Sequence, residues 1–261
     1  MNSNKGMMPT LFIGHGSPMN AIENNKFTKG WEDIAKAIPE PSAILCISAH
    51  WYIPDTRIGG MDSPRTIHDF YGFPRELYDQ QYPAPGAPKL ASEVQHLVHS
   101  TRITSDANWG LDHGTWCVLK KMYPKAHLPT TQLSIDYTKS PQQHYRIAQE
   151  LIELRKQGVL ILGSGNLVHN LALARLDRFD SVFDWNVEFD QKMVEYLQTG
   201  NHHAIIEYSA LGELARKAHP TPDHFLPLVY VLGATSSEEE VHVFNQYYMA
   251  GSLSMTSIRI G

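Results

Sequence analysis

Histidine is the residue type best suited to chemistry in this sequence, which contains 14 histidines among 261 residues. Five of them lie in short motifs rich in glycine, proline or small polar residues: His15 in GHGSP, His50 in SAHW, His113 in GLDHGTW, His169 in GSGNLVH and His224 in HPTPDH. Neutral imidazole is a common metal ligand, and its protonated form is readily reached near neutral pH. These five histidines are therefore candidates for a metal site with acid and base groups beside it.

The positions of three of these histidines favour one shared site. Three apolar segments have the length and composition of buried strands: 9–13, 43–48 and 159–163. Each is followed by a loop that carries a histidine, His15, His50 or His169 respectively. Because the carboxyl ends of neighbouring strands in an α/β sheet meet at one crevice, we expect these three side chains to converge. His113 and His224 lie in loops that we expect to close over the same crevice.

The remaining elements predict an α/β protein. A helix around residues 30–38 separates the first two strands, and this alternation is typical of a sheet with parallel pairing and flanking helices. Further helices are predicted at 87–100, 110–123, 141–157, 183–199 and 207–218, and a last strand at 252–260. Residues 52–88 show no sustained period and predict a long ordered loop, which is a common place for functional residues. No repeat or linker divides the chain, so we predict one catalytic domain over residues 1–261.

The other histidines have a simpler interpretation. Seven lie in polar or helical surroundings and are predicted to be solvated: His96, His99, His127, His144, His202, His203 and His242. A histidine in such surroundings is more often a surface residue than a ligand. We assign none of the seven a role.

Composition narrows the class of function. The formal net charge is −5 and Lys and Arg are not clustered, which argues against nucleic-acid binding and favours a small-molecule substrate. Cys46 and Cys117 each lie in an apolar stretch, as expected of reduced, buried thiols in a cytoplasmic protein. The N-terminus has no long apolar region of the signal-peptide type, and no apolar run is long enough to span a membrane. We therefore expect a cytoplasmic location without membrane association.

The residues alone leave the kind of metal chemistry open. Histidines with a carboxylate and open positions are typical of non-haem Fe(II) oxygenases, whereas three histidines around one open position equally suit a catalytic zinc. The spacing shows no HExxH motif and no paired CxxC motif. Ser17 and Ser164 are not in a GxSxG motif, and the glycine-rich loops lack the phosphate-binding patterns. A serine hydrolase and a phosphate-binding protein are therefore disfavoured.

Six motifs in order along the chain resemble the class III extradiol ring-cleaving dioxygenases, and within them the 4,5-DOPA dioxygenase branch. They are GHGSPM (14–19), SAHW (48–51), TIHDFYGFP (66–74), GLDHGTW (110–116), GSGNLVHN (163–170) and HPTPDHFLPL (219–228). The resemblance extends from about residue 9 to the end of the sequence. It implies a central mixed β-sheet flanked by helices, with the active site at the carboxyl ends of the strands.

The resemblance also implies one divalent metal per chain, Zn(II) or Fe(II), bound by His15, His50 and a third ligand. In the protocatechuate-cleaving relatives that ligand is a glutamate, and the best-matching position in this sequence is His224. An all-histidine site is more typical of zinc. Asp223 and Glu213 are the alternative carboxylate ligands if the metal is iron.

Two further roles follow from the resemblance. His169 matches the acid/base histidine of the family, and a zinc-loaded site without substrate would also allow it as a fourth metal ligand. His113 matches a second histidine that contacts substrate or oxygen. The implied reaction is cleavage of a catechol, L-DOPA above all, with O2 to a muconic semialdehyde. The alternatives are a zinc-dependent hydrolase and a non-catalytic binder of metal or catechols.

Overall fold

The computed structural model describes residues 6–261. Residues 1–5, the start of the N-terminal stretch that lacks a long apolar region of the signal-peptide type, lie outside the described residues. The strands are β1 (Thr10–Gly14), β2 (Ala43–Ser48), β3 (Tyr52–Ile53), β4 (Arg57–Gly59), β5 (Thr104–Asp106), β6 (Thr130–Gln132), β7 (Ile135–Asp136), β8 (Val159–Gly165), β9 (Val241–Phe244), β10 (Tyr248–Met249), β11 (Leu253–Ser254) and β12 (Ser257–Ile260). The helices are α1 (Lys26–Ala37), α2 (Arg75–Tyr78), α3 (Pro88–Leu97), α4 (His113–Met122), α5 (Pro141–Gln149), α6 (Ile152–Lys156), α7 (Asp184–Gln198), α8 (His202–Ile206), α9 (Glu213–Ala218) and α10 (Leu226–Gly233).

A mixed six-stranded sheet forms the centre of the fold, with the strand order β6-β2-β8-β1-β12-β9. The first four strands are parallel, and β12 pairs antiparallel with both β1 and β9. The α/β class, the central mixed sheet and the flanking helices are therefore confirmed. The predicted strands at 9–13, 43–48 and 159–163 are β1, β2 and β8, which lie side by side.

Each face of the sheet has its own apolar core, because successive side chains of a strand point to opposite faces. On β2, Leu45 and Ile47 belong to the core that contains α5, α7 and α10. Ile44 and Cys46 on the same strand belong to the other core, which contains α1 and α4. Burial on both faces explains why these strands are continuous apolar runs in the sequence. Among residues 6–261, no helix has the length and apolar character needed to cross a membrane.

Two expectations about the segment 141–157 were wrong. The predicted single helix is two helices, α5 and α6, separated by Glu150 and Leu151, whose backbone N–H groups bond to carbonyls three residues back. The Glu150 carboxylate accepts hydrogen bonds from Ser100, which lies in the loop after α3. The periodicity of the sequence cannot predict this contact between distant segments. His144 is fully buried rather than solvated, because it lies on the face of α5 that packs against α10. Its Nδ1 atom lies 2.9 Å from the hydroxyl of Tyr230.

The remaining six histidines of that group largely match the prediction of solvent exposure. His96, His99, His127, His203 and His242 are exposed, and His202 is half-buried. The segment 52–88 contains the short elements β3, β4 and α2 and is otherwise irregular. One backbone pairing anchors it beside the start of α4: Thr66 pairs with Leu111. That pairing brings the residues after Thr66 to the carboxyl ends of the strands.

Candidate metal centre

His15 and His50 form the centre of the histidine cluster. His15 directly follows β1, and His50 lies in the turn after β2. Their Nε2 atoms are 3.1 Å apart, and His15 is only 3% exposed. Two imidazole nitrogens bound to one ion at about 2.0–2.1 Å with tetrahedral angles would be about 3.3 Å apart. The pair therefore has the separation of two ligands of one metal.

His113 and His224 lie on either side of this pair. The ring centroid of His113 is 5.5 Å from that of His15 and 3.9 Å from that of His50. The corresponding distances for His224 are 5.3 Å and 5.1 Å. The ligand atoms of His15, His50 and His113 all lie within 4.8 Å of one another. The structure thus brings His15, His50, His113 and His224 together and offers two histidines for the third position.

Hydrogen bonds at Nδ1 determine which nitrogen of each ring is free. The hydroxyl of Ser164 donates to the carbonyl oxygen of Gly114 at 2.5 Å, so its oxygen accepts from Nδ1 of His15 at 3.0 Å. Nδ1 of His113 lies 2.9 Å from Asp69, and Nδ1 of His224 contacts the Asp223 carboxylate. With the proton on Nδ1, each Nε2 atom presents a lone pair, which is the form that binds a metal.

Asp69 contacts the histidine cluster, and the sequence alone did not predict it as a candidate site residue. Its Oδ2 atom lies 2.9 Å from Nδ1 of His113 and 3.4 Å from Nδ1 of His50. Its Oδ1 atom accepts a hydrogen bond from the backbone N–H of His113 at 2.9 Å. Asp69 stands in the motif TIHDFYGFP, so the resemblance pointed to the segment but not to the residue. Its neighbour His68 lies apart from the cluster and instead contacts the carbonyl oxygen of Gln80.

Burial keeps these imidazoles neutral. It lowers the pKa of His15 and His224 well below the ordinary value, and the neighbouring histidines lower both further. Burial also lowers the pKa of His50 to about 3, against the opposing effect of Asp69. A metal binds neutral imidazole, so the site needs no proton release from these rings at neutral pH.

His169 lies against His224 in a parallel stack, with ring centroids 3.5 Å apart and planes inclined by 5°. The backbone N–H of His169 donates to the carbonyl oxygen of Ala218, which holds the loop after β8 against the end of α9. Burial lowers the pKa of His169 to about 4. Imidazole lone pairs lie in the ring plane, so two parallel rings do not direct their lone pairs at a common point. This arrangement favours a proton-transfer role for His169 over metal binding.

The donor set fits a divalent metal. Nε2 of His15 and Nε2 of His50 lie 3.1 Å apart, and the hydrogen bond from Nδ1 of His15 to Ser164 leaves the Nε2 lone pair of that ring free. This separation suits two nitrogen ligands of one cation. The alternative carboxylate Glu213 does not reach the cluster, because it is exposed and paired with Lys217 on α9. Asp223 contacts the outer nitrogen of His224 and so orients that ring.

Comparison with known proteins gives the family. Residues 9–256 match the family described as the catalytic LigB subunit of aromatic ring-opening dioxygenase. The chain belongs to this family. The matched residues include helices on both faces of the sheet and all five histidines of the cluster. The class III extradiol assignment made from the six motifs is therefore confirmed.

Individual relatives agree with the family match. A protein of Escherichia coli (strain K12) named 4,5-DOPA dioxygenase extradiol is 42% identical, over 97% of this chain and 95% of the relative. A Beta vulgaris protein of the same name is 35% identical over 99% of this chain and 98% of its own length. The crystal structure of an uncharacterized protein from Escherichia coli K12 superposes with a TM-score of 0.85 at 38% identity, covering 97% of this chain and 100% of that one.

Membership of this family gives the class of reaction that the protein catalyses. This LigB-family chain is a metal-dependent extradiol ring-cleaving dioxygenase, which acts on a small aromatic molecule with O2. The predicted activity is confirmed at that level. Ring cleavage is thereby favoured over the zinc-dependent hydrolase and the non-catalytic binder that the residues alone left open.

Proposed function

We propose that the enzyme cleaves the ring of L-DOPA at the 4,5 bond and that Fe(II) is the metal that supports this reaction. The observation that carries the proposal is the 3.1 Å separation of the Nε2 atoms of His15 and His50, which suits two ligands of one cation at the centre of the cluster. The names of the relatives from Escherichia coli and Beta vulgaris support the choice of substrate.

His224 is proposed as the third ligand beside His15 and His50. It immediately precedes α10, and its ring lies at nearly equal distances from the other two rings, 5.3 Å and 5.1 Å. Its Nδ1 atom has its own carboxylate partner in Asp223. The ring of His113 instead lies 3.9 Å from that of His50, tilted by 47°, and shares Asp69 with it, so it is positioned to contact a group bound next to His50.

The metal, when bound, supplies a Lewis acid for the two catechol oxygens and the redox chemistry that O2 requires; Zn(II) lacks the second property. His169 accepts a proton from the catechol hydroxyl as the diol binds. Burial lowers its pKa to about 4, so it is neutral at working pH and its free nitrogen can accept this proton. His113, whose Nδ1–H donates to Asp69, presents the lone pair of Nε2 to the substrate and accepts a hydrogen bond from a catechol hydroxyl, with Asp69 stabilising the positive charge that develops on the imidazole.

Oxygen uptake by metal-free protein reconstituted separately with Fe(II) and with Zn(II) tests this proposal, with L-DOPA as substrate and absorbance followed for a yellow product. With isotopically labelled O2, both oxygen atoms should enter the product, since a dioxygenase transfers both. Uptake with Fe(II) alone supports the proposal. Equal rates with Zn(II), or ester hydrolysis without uptake, would contradict it.

Catechols that lack all or part of the amino-acid group of L-DOPA test the preferred substrate separately from the class of reaction. We expect L-DOPA to have a higher kcat/KM than catechol itself or a catechol carboxylic acid. A higher value for either of these would retain the reaction class and reject L-DOPA as the preferred substrate.

A further inference from the structure

A fully buried carboxylate, Asp112, lies next to the histidine cluster without contacting any of its rings. Its side chain is 0% exposed. Oδ1 accepts hydrogen bonds from the hydroxyl of Ser48 at 2.7 Å and from the backbone N–H of Thr115 at 3.2 Å. The second bond makes Asp112 the N-cap of α4, the helix whose first residue is His113.

Gln132 completes the contacts of this carboxylate. Its side-chain N–H donates to Oδ2 of Asp112 at 2.7 Å, and its carbonyl oxygen accepts from the backbone N–H of Asp112 at 2.9 Å. Gln132 is 1% exposed and is the last residue of β6. The two residues are thus joined by a pair of hydrogen bonds from which water is excluded.

The network connects three elements of the site. Ser48 ends β2 two residues before His50, and its hydroxyl oxygen accepts a hydrogen bond from the backbone N–H of His50 at 3.3 Å. Asp112 begins α4 directly before His113. The carboxylate therefore links the backbone that carries His50 to the backbone that carries His113, with β6 as the fixed support.

We propose that Asp112 is a positioning residue that sets the relative placement of His50 and His113 for ring cleavage. This inference rests on the roles proposed above for the two histidines. All three side-chain partners of Asp112 are donors: the Ser48 hydroxyl, the Thr115 N–H and the Gln132 amide. Only a carboxylate accepts from all three. An amide at position 112 would turn an NH2 group towards one of them, and the repulsion between two donors would shift the start of α4 relative to its partners.

The test compares Asp112→Asn, Gln132→Glu and the double variant D112N/Q132E. In D112N, an amide donor faces the amide donor of Gln132. The double variant restores a donor and an acceptor at this contact with the negative charge moved to position 132. Asp136→Asn is the matched control, because Asp136 is a buried carboxylate, 3% exposed, whose side-chain partners Thr56, Thr138 and Lys139 lie away from the cluster.

We expect kcat/KM per bound metal to fall at least about 10-fold in D112N, as is typical when the support of a metal ligand is altered. The Co(II) absorption spectrum and the chelator-measured metal affinity should change in the same variant. D136N should lower the melting temperature and leave these three properties unchanged. The double variant should recover most of the lost kcat/KM.

Equal effects of D112N and D136N per bound metal, or no recovery in D112N/Q132E, would overturn the positioning role. The Co(II) spectrum and the metal affinity do not depend on turnover. If the wild-type protein failed to cleave catechols, the proposed function would fail, and these two measurements would still decide whether Asp112 positions the metal site.

Discussion

The carboxylate of Asp69 binds His113 through both of its oxygen atoms, Oδ1 to the backbone N–H and Oδ2 to Nδ1 of the ring, each at 2.9 Å. The same Oδ2 atom lies 3.4 Å from Nδ1 of His50. One side chain from the segment 52–88 therefore orients the imidazole of His50, which follows β2, and the imidazole of His113, which begins α4. The nearby histidines lower the pKa of Asp69 to about 2 despite its burial, so it is a carboxylate at neutral pH.

Replacing this carboxylate should impair the metal site. In Asp69→Asn, the amide cannot accept from both imidazoles with the strength of a charged oxygen. We expect metal affinity or kcat/KM to fall about 10- to 100-fold, the usual effect of losing an outer partner of a ligating histidine. Metal titration with a competing chelator and oxygen uptake would measure the two quantities. Asp79→Asn in the same segment is the control, since Asp79 is exposed and pairs with Arg75.

His169, which stacks on His224, should be needed for turnover more than for metal binding. We expect His169→Ala to keep its metal and to lose about 10²- to 10⁴-fold in kcat, the usual contribution of general acid/base catalysis. Metal content by elemental analysis and kcat with L-DOPA would be measured on the same preparation. A variant that lost its metal would identify His169 as a ligand.

His224 and His113, the two candidates for the third metal ligand, should differ in the metal content that remains when each is replaced by alanine. His224→Ala is expected to bind metal far more weakly than wild type, because it removes one of three proposed nitrogen donors. His113→Ala is expected to retain metal and to lose activity. The reverse order of metal contents would assign the third position to His113, whose ligand atom lies within 4.8 Å of those of His15 and His50.

Buried His144 should make the protein sensitive to acid independently of the metal. Burial lowers the pKa of its imidazole from 6.5 to about 4. The unfolded chain therefore binds a proton that the folded chain does not, so the free energy of unfolding falls as the pH drops from about 6.5 towards about 4. This one group accounts for up to about 3 kcal/mol across that interval.

The variant His144→Gln removes the titrating group and retains a partner for the Tyr230 hydroxyl. We expect its free energy of unfolding, from urea titrations at several pH values, to depend less steeply on pH than that of wild type in this interval. His127→Gln is the control, because His127 is exposed. An equal pH dependence in H144Q and wild type would show that burial does not hold His144 neutral.

The local sequence determined the elements that carry the cluster. Strands β1, β2 and β8 are buried on both faces, so each is an apolar run whose end is marked by glycine or serine, and prediction placed them within about two residues. The rule that active sites lie at the carboxyl ends of such strands predicted that His15, His50 and His169 would lie near one another; His15 and His50 are in contact, and His169 stacks on His224.

Tertiary structure decided what surrounds those histidines. Asp69 reaches His50 and His113 only because the pairing of Thr66 with Leu111 places an irregular loop beside α4, and loop conformation has no periodic signal in the sequence. The burial of His144 likewise depends on the packing of α5 against α10. Hydrogen bonds between residues distant in the chain depend on the whole fold, whereas a buried strand is encoded by its own residues.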